Sequence, residues 1–104
     1  MGSYVLVYSG GSMPETKEEQ DRVMQAWTDW FGAMGPAITD PGNPFTPQAK
    51  QIGPDGSMSQ IPADATGYSV IAADSLDAAA DMAKGCPVFQ GGASVTVYET
   101  FQVM

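Results

Sequence analysis

Histidine is absent from this chain, and cysteine is almost absent. Without histidine there is no imidazole to act as a near-neutral general base or to complete a Ser-His or Cys-His nucleophile pair. The single cysteine, Cys86, cannot form a disulfide within the chain, and one thiol cannot replace the imidazoles of a zinc site. We therefore expect no metal or other cofactor, and a reducing, cytoplasmic location.

Positive charge is also scarce, because only four Lys and Arg residues stand against twelve Asp and Glu, for a formal net charge of -8. Such a chain repels phosphate backbones and anionic headgroups, so neither nucleic acid nor a membrane is an expected partner. No apolar stretch approaches the length of a membrane span, and the one near the start, residues 4–8, fits a strand. The 104 residues suit a single domain that spans residues 1–104.

The first third of the chain predicts a strand and a long helix. Residues 3–9 are apolar on both faces, which is typical of a central strand. Thr16 with Glu19 three residues later predicts the start of a helix, and Gly35 followed by Pro36 predicts its end. One face of this helix carries apolar side chains at helical spacing, namely Val23, Met24, Trp27, Trp30, Phe31 and Met34.

The middle of the chain, residues 36–66, is rich in proline. We predict an edge strand at residues 45–52, because a strand containing Pro47 is tolerated only at the edge of a sheet. Residues 53–56 have the Gly-Pro-Asp-Gly sequence of a turn. Residues 57–66 are predicted to be irregular and mobile, and residues 53–66 as a whole to form either a disordered tongue or a lid over a cleft.

The last third repeats the pattern of the first. Residues 67–73 predict a strand, and Asp74 or Ser75 then caps a second helix that runs to Lys84 and ends at Gly85. The side chains on the apolar face of this helix are mostly alanine, and such small side chains let a helix lie close to a sheet. Residues 93–103 alternate between apolar and polar side chains and predict the final strand.

The element order therefore predicts an α+β fold of ferredoxin-like βαββαβ type, with a four-stranded antiparallel sheet and both helices on one face. Such a sheet leaves its other face uncovered, and residues 4–8 are apolar on both faces. Because the chain offers only two helices, a second copy is the simplest cover, and we expect a homodimer.

Several segments resemble the YCII-related (DGPF-like) family over about residues 3–101. The resemblance rests on the Trp-bearing first helix, on residues 74–79 (DSLDAA), on residues 84–87 (KGCP) and on residues 91–99 (GGASVTVYE). Membership implies a dimeric α+β barrel, in which two ferredoxin-like domains pack sheet to sheet with a cleft in each subunit. Some members carry a His and an Asp proposed to act as a dyad, and this chain has no His.

Four residues are candidates for lining a ligand cleft between the sheet and the first helix: Tyr8, Trp30, Tyr68 and Glu99. A Trp offers an aromatic wall for an apolar or planar molecule, and Tyr can orient polar groups. Glu99 shares an apolar face of the last strand, where a buried carboxylate can act as an acid or base. The alternative for each of them is a structural role in the core or at the edge of the sheet.

Three functions follow. The first is a homodimeric module that binds a small, mostly apolar molecule in this cleft. The second is a cofactor-free enzyme of the dimeric α+β barrel type, in which Glu99 or Asp29 is the base. The third is a non-catalytic domain whose role is assembly or interaction. Composition and motifs leave all three open.

Overall fold

The computed structural model describes residues 2–11, 14–60 and 64–102, and within them the chain forms two helices and six strands. The strands are β1 (Gly2–Gly10), β2 (Ile38–Asp40), β3 (Lys50–Ile52), β4 (Met58–Gln60), β5 (Ala65–Ala73) and β6 (Ala93–Glu99). The helices are α1 (Lys17–Met34) and α2 (Leu76–Ala83), and a short 3-10 turn follows each of them, at Gly35–Ala37 and Pro87–Gly91.

Four of the strands form one antiparallel sheet in the order β2-β5-β1-β6, and β3 and β4 form a separate two-stranded sheet. The two longest strands, β1 and β5, lie at the centre, as their apolar composition predicts. The fold class is thus α+β, with two helices, a four-stranded antiparallel sheet and an additional hairpin.

Both helices pack on the same face of the large sheet, and the core lies between them and the sheet. The buried side chains alternate along the central strands, so that Tyr4, Leu6 and Tyr8 of β1 point towards the helices. Ile71 of β5 and Ala79 of α2 join the same cluster. This face of the sheet is covered, and neither of the two described helices covers the opposite face.

The helix ends follow the predicted capping residues. Thr16 Oγ1 accepts a hydrogen bond from the Glu19 backbone N–H at 3.2 Å, and Ser75 Oγ accepts one from the Ala78 N–H at 3.0 Å. Of the two candidates for the second cap, Ser75 is therefore the one that acts. Gly35 ends α1 with a positive φ of 57°, a conformation that favours glycine.

The prediction of an edge strand at residues 45–52 is wrong for the large sheet: only residues 50–52 form a strand, β3, and it pairs with β4 in the separate hairpin. The edge strand of the large sheet is β2, which pairs Ile38 with Ile71 of β5. Prolines at positions 41, 44 and 47 remove N–H donors from the following segment. Residues 41–45 run beside β5 without forming a strand, and they contact it through a bridge between Pro44 and Gly67 and through bonds from the Phe45 N–H to the Thr66 carbonyl and from the Tyr68 N–H to the Asn43 carbonyl.

The hairpin begins after this segment. The predicted turn at residues 53–56 is confirmed, because the Gly56 N–H bonds the Gly53 carbonyl at 2.9 Å. Residues 58–60 form a strand instead of the irregular segment predicted at 57–66, and residues 65–66 belong to β5. The rest of that prediction, at residues 61–63, lies outside the described residues.

The last strand is shorter than the predicted 93–103. It ends at Glu99, which the register places opposite Tyr4 of β1. Thr100 still bonds the Ser3 carbonyl, through both its N–H and its hydroxyl. Residues 101–102 lie outside the strand, and Val103 lies outside the described residues.

Candidate functional site

Four aromatic rings contact one another between helix α1 and the sheet. Trp27 is at the centre of this aromatic cluster, with its ring centroid 5.5 Å from Tyr8, 5.8 Å from Trp30 and 5.5 Å from Phe31. The Tyr8 and Trp30 contacts with Trp27 are edge-to-face, the geometry that aromatic quadrupoles favour. Tyr8 and Trp30 are buried, whereas Trp27 and Phe31 are only half-buried.

The aromatic cluster holds α1 away from the sheet. Helix α2 lies close to strands β1, β5 and β6, because the side chains it turns to them, Ala79 and Ala83, are small. Helix α1 reaches the sheet through its large rings, and its backbone is nearest to the two 3-10 turns. Of its apolar face only Trp30 is fully buried, so α1 leaves part of its aromatic surface open to a ligand.

A buried chain of polar groups lies beneath the cluster. The Tyr8 hydroxyl donates to Ser69 Oγ at 2.7 Å, and the Ser69 hydroxyl donates to the Pro41 carbonyl at 2.7 Å. Burial raises the pKa of Tyr8 far above its ordinary value, and the bond to Ser69 lowers it by less. In the described part of the chain, every buried side-chain polar atom has a hydrogen-bond partner.

Cys86 is buried next to Tyr8. Burial raises the pKa of the Cys86 thiol, and the Val88 N–H and the Tyr8 hydroxyl offset only part of that effect. The thiol is therefore protonated near neutral pH and belongs to the core cluster.

Glu99 lies apart from the aromatic cluster. It is on the helix-facing side of β6, as the alternation predicts, but it is exposed because the strand ends there. Its carboxylate accepts a bond of 3.4 Å from the Tyr4 hydroxyl, and burial, the Glu99 charge and this bond raise the pKa of Tyr4. Along β1, Tyr4 and Tyr8 are four residues apart, which is roughly 13 Å.

Tyr68 lies on the opposite face of the sheet. Its ring stacks on Phe45 with centroids 5.8 Å apart and planes inclined by 22°. Its hydroxyl is 3.4 Å from Asp40 Oδ2. The four predicted lining residues are therefore divided: Tyr8 and Trp30 share the aromatic cluster, and Tyr68 and Glu99 are outside it.

The structure adds Trp27 and Phe31 to the candidate lining. Both were on the apolar helix face that the spacing predicts, but the sequence does not show which member of such a face stays half-exposed. Which residue stays half-exposed depends on the distance between α1 and the sheet. The sizes of Trp27 and Trp30 together set this distance.

The uncovered sheet face, here called the open face, is formed by the outward side chains of β1, β5 and β6. Val5 is opposite both Val70 and Tyr98, and Val7 is opposite both Tyr68 and Thr96. Among the residues that these strands turn outwards there is no charged side chain, although the chain has a net charge of -8. Interface cores are depleted of charge in the same way.

Metal and membrane sites are not found in the described ranges. No group of three or more Cys, Asp or Glu residues there could hold a metal ion. Neither of the two helices is long and apolar enough to cross a bilayer. No family model, curated protein or solved structure matches the chain, so the resemblance to the YCII-related family stays a prediction.

Proposed function

We propose that the protein is a homodimeric domain of the YCII-related type that binds a small, mostly apolar molecule beside helix α1. Within this proposal the fold is ferredoxin-like, and the strand order β2-β5-β1-β6 with antiparallel neighbours supports that arrangement. The hairpin of β3 and β4 is then an insertion between the second and third strands of the βαββαβ pattern.

Surface area supports the dimer. A folded monomer of 10.9 kDa exposes about 5,600 Å² on the general scaling of surface with mass. This chain exposes 7349 Å², an excess of about 1,800 Å². Stable dimers bury roughly 800 Å² or more per partner. The outward side chains of β1, β5 and β6 carry no charge, and Asp40 of β2 lies at the edge of this face, so the open face is the surface where two copies of charge -8 meet the least repulsion.

The observation that carries the binding proposal is the half-buried ring of Trp27. It is fixed on three sides by Tyr8, Trp30 and Phe31, and it presents aromatic surface at the side of α1. A ring held in this way loses little conformational entropy when a planar or apolar molecule packs against it. Tyr8 and Trp30 then pack against the Trp27 ring on the side away from the ligand.

A cofactor-free enzyme would need a carboxylate inside the cleft. Glu99 and Asp29 are both exposed, and Asp29 accepts a hydrogen bond from Gln25 on the surface of α1. No observation favours catalysis, and binding is the function that the geometry supports best. A cytoplasmic location belongs to the same proposal and is supported by the buried, reduced thiol of Cys86.

The binding test uses the neutral apolar dye N-phenyl-1-naphthylamine and energy transfer from the two Trp residues. We expect saturable binding that weakens about tenfold or more in Trp27→Ala, the loss of one well-packed aromatic contact. Trp27→Phe keeps an apolar ring, so its affinity for the dye should lie between those of the wild type and Trp27→Ala if folding is intact. The control is Phe101→Ala, which removes a ring that is 84% exposed and follows β6 in the chain, outside the aromatic cluster. Equal binding by Trp27→Ala and the wild type contradicts the proposed site.

The dimer test is native mass spectrometry of gently purified protein, which reports the assembly and any retained ligand together. We expect a mass of twice 10.9 kDa, and a further increment if a ligand is retained. Val7→Lys places a charge at the centre of the open face and should give a monomer. A wild type that is monomeric at high concentration contradicts the dimer.

A further inference from the structure

We propose that the β3–β4 hairpin, residues 46–60 and here called the arm, docks on the second copy of the chain in the dimer. This inference rests on the proposed homodimer and adds the element that holds the two copies together. The observations behind it are the isolation of the arm, its apolar side, its charge and the place where it leaves the sheet.

The arm projects from the rest of the molecule. Its two strands pair with each other, and neither packs closely against another helix or strand of the described chain. The radius of gyration is 15.3 Å, against about 13 Å for a compact domain of this length. A single two-stranded hairpin is at best marginally stable in water, so the arm needs a surface to pack on.

One side of the arm is suited to such packing. Ile52 and Met58 are directly opposite each other in the hairpin and are 65% and 67% exposed. Lys50 and Gln60 are opposite each other on the same side. An open groove of about 310 Å³ adjoins this pair, lined by Gln48, Ala49, Lys50 and Gln60. Leaving two large apolar side chains exposed at the end of a projecting hairpin is costly unless a partner covers them.

The charge distribution favours a second copy as that partner. The arm carries one base, Lys50, and one acid, Asp55, so the net charge of -8 lies entirely on the rest of the chain. The arm, with no net charge, is therefore a surface that can approach another copy with little charge penalty. Lys50 also brings a positive charge towards a partner that is strongly acidic.

The arm leaves the sheet beside the open face. Phe45, the residue that precedes it, stacks on Tyr68, whose side chain is on that face. In the proposed dimer, an arm that starts there would reach past the edge of its own sheet to the copy packed face to face with it. The open face itself measures roughly 450 Å² in projection from strand spacing and length. The open face alone falls short of the excess of about 1,800 Å², so surface elsewhere on the chain, including the arm, is also available for burial in the dimer.

The experiment measures the dimer dissociation constant by analytical ultracentrifugation for the wild type and three variants. Met58→Ser should raise the dissociation constant about tenfold, since one apolar side chain loses its burial. Met24→Ser is the matched control, because Met24 is also 67% exposed but lies on helix α1, and it should leave the constant unchanged. Val7→Lys reports on the open face independently.

The outcomes separate the two proposals. A dimer that Val7→Lys dissociates and Met58→Ser does not affect overturns the arm inference and leaves the sheet dimer standing. A monomeric wild type overturns both. Hydrogen exchange of residues 46–60 gives a second readout: protection should rise with protein concentration in the wild type and stay low in Val7→Lys. Exchange that is independent of concentration also overturns the arm inference.

Discussion

The Tyr8 hydroxyl donates a hydrogen bond to Ser69 Oγ at 2.7 Å, joining the two central strands in the layer that faces the helices. Ser69 is fully buried, and it passes its own hydrogen to the Pro41 carbonyl beyond the edge of the sheet. The pair therefore ties the core to the segment that leads to the arm. Its two ends are not equivalent, because Ser69 has two partners in this chain of bonds.

Removing Ser69 should cost more than removing the Tyr8 hydroxyl. Ser69→Ala leaves the buried Tyr8 hydroxyl and the Pro41 carbonyl without a partner, and should lower the free energy of unfolding by about 2–3 kcal/mol. Tyr8→Phe leaves Ser69 still bonded to Pro41 and should cost about 1 kcal/mol. Urea unfolding of both variants checks the order, and a larger loss in Tyr8→Phe would contradict it.

Stability should fall at alkaline pH. Burial raises the pKa of Tyr8 and of Cys86 above their ordinary values of 10.0 and 9.0. Both groups hold their protons more tightly in the folded state, so their contribution is complete below pH 9 and is lost as the pH rises. The thiol of the unfolded chain ionises first and the phenol next. Urea unfolding between about pH 7 and pH 10.5 should show this fall, with a shallower slope in Tyr8→Phe. A flat profile would refute the prediction.

The long elements could be predicted from the sequence because their signals are local. Thr16 and Gly35 mark the ends of α1, and alternation along β6 assigns Val95 and Val97 to the core side. The short strands could not be predicted in this way. Residues 38–40 and 58–60 are three residues each, too few for a periodic pattern, and they are strands because β5 and β3 offer them backbone partners.

The candidate site was predicted less well than the fold. The pattern places Glu99 on the apolar face of β6, but alternation does not show that the strand ends at this residue, where the side chain is exposed. Tyr68 is one residue out of phase with the buried Ser69, so it falls on the open face. Periodicity assigns residues to faces, and only the packing of α1 decides that Trp27 is left half-exposed while Trp30 is covered.

The two candidate caps of α2 allow a direct comparison. Ser75→Ala removes the acceptor of the Ala78 N–H and should lower the free energy of unfolding by about 1 kcal/mol. Asp74→Ala, one residue earlier, removes only a charge near the helix N-terminus and should cost a few tenths of a kcal/mol, about 0.3. Equal losses in the two variants, measured by urea unfolding, would mean that the Ser75 bond adds no stability.

Gly42 and Gly56 both have a positive φ, at 76° and 85°, but only Gly42 is also crowded. A Cβ at Gly42 would overlap the Tyr68 carbonyl oxygen, whereas a Cβ at Gly56 would meet no atom within 4 Å. Gly56→Ala should therefore cost about 1–2 kcal/mol, the strain of a left-handed residue alone.

Gly42→Ala adds the displacement of backbone to the same strain and should cost about 3 kcal/mol or more. The Gly42 N–H also bonds Asp40 Oδ1 at 2.8 Å, so the displaced segment includes the carboxylate that contacts Tyr68. Urea unfolding of both variants gives the two losses. Because Gly42 lies between β2 and the arm, Gly42→Ala should also weaken the dimer if the arm docks on a second copy. If Gly42→Ala has the same free energy of unfolding as the wild type, the backbone around residue 42 can move away from β5 at little cost.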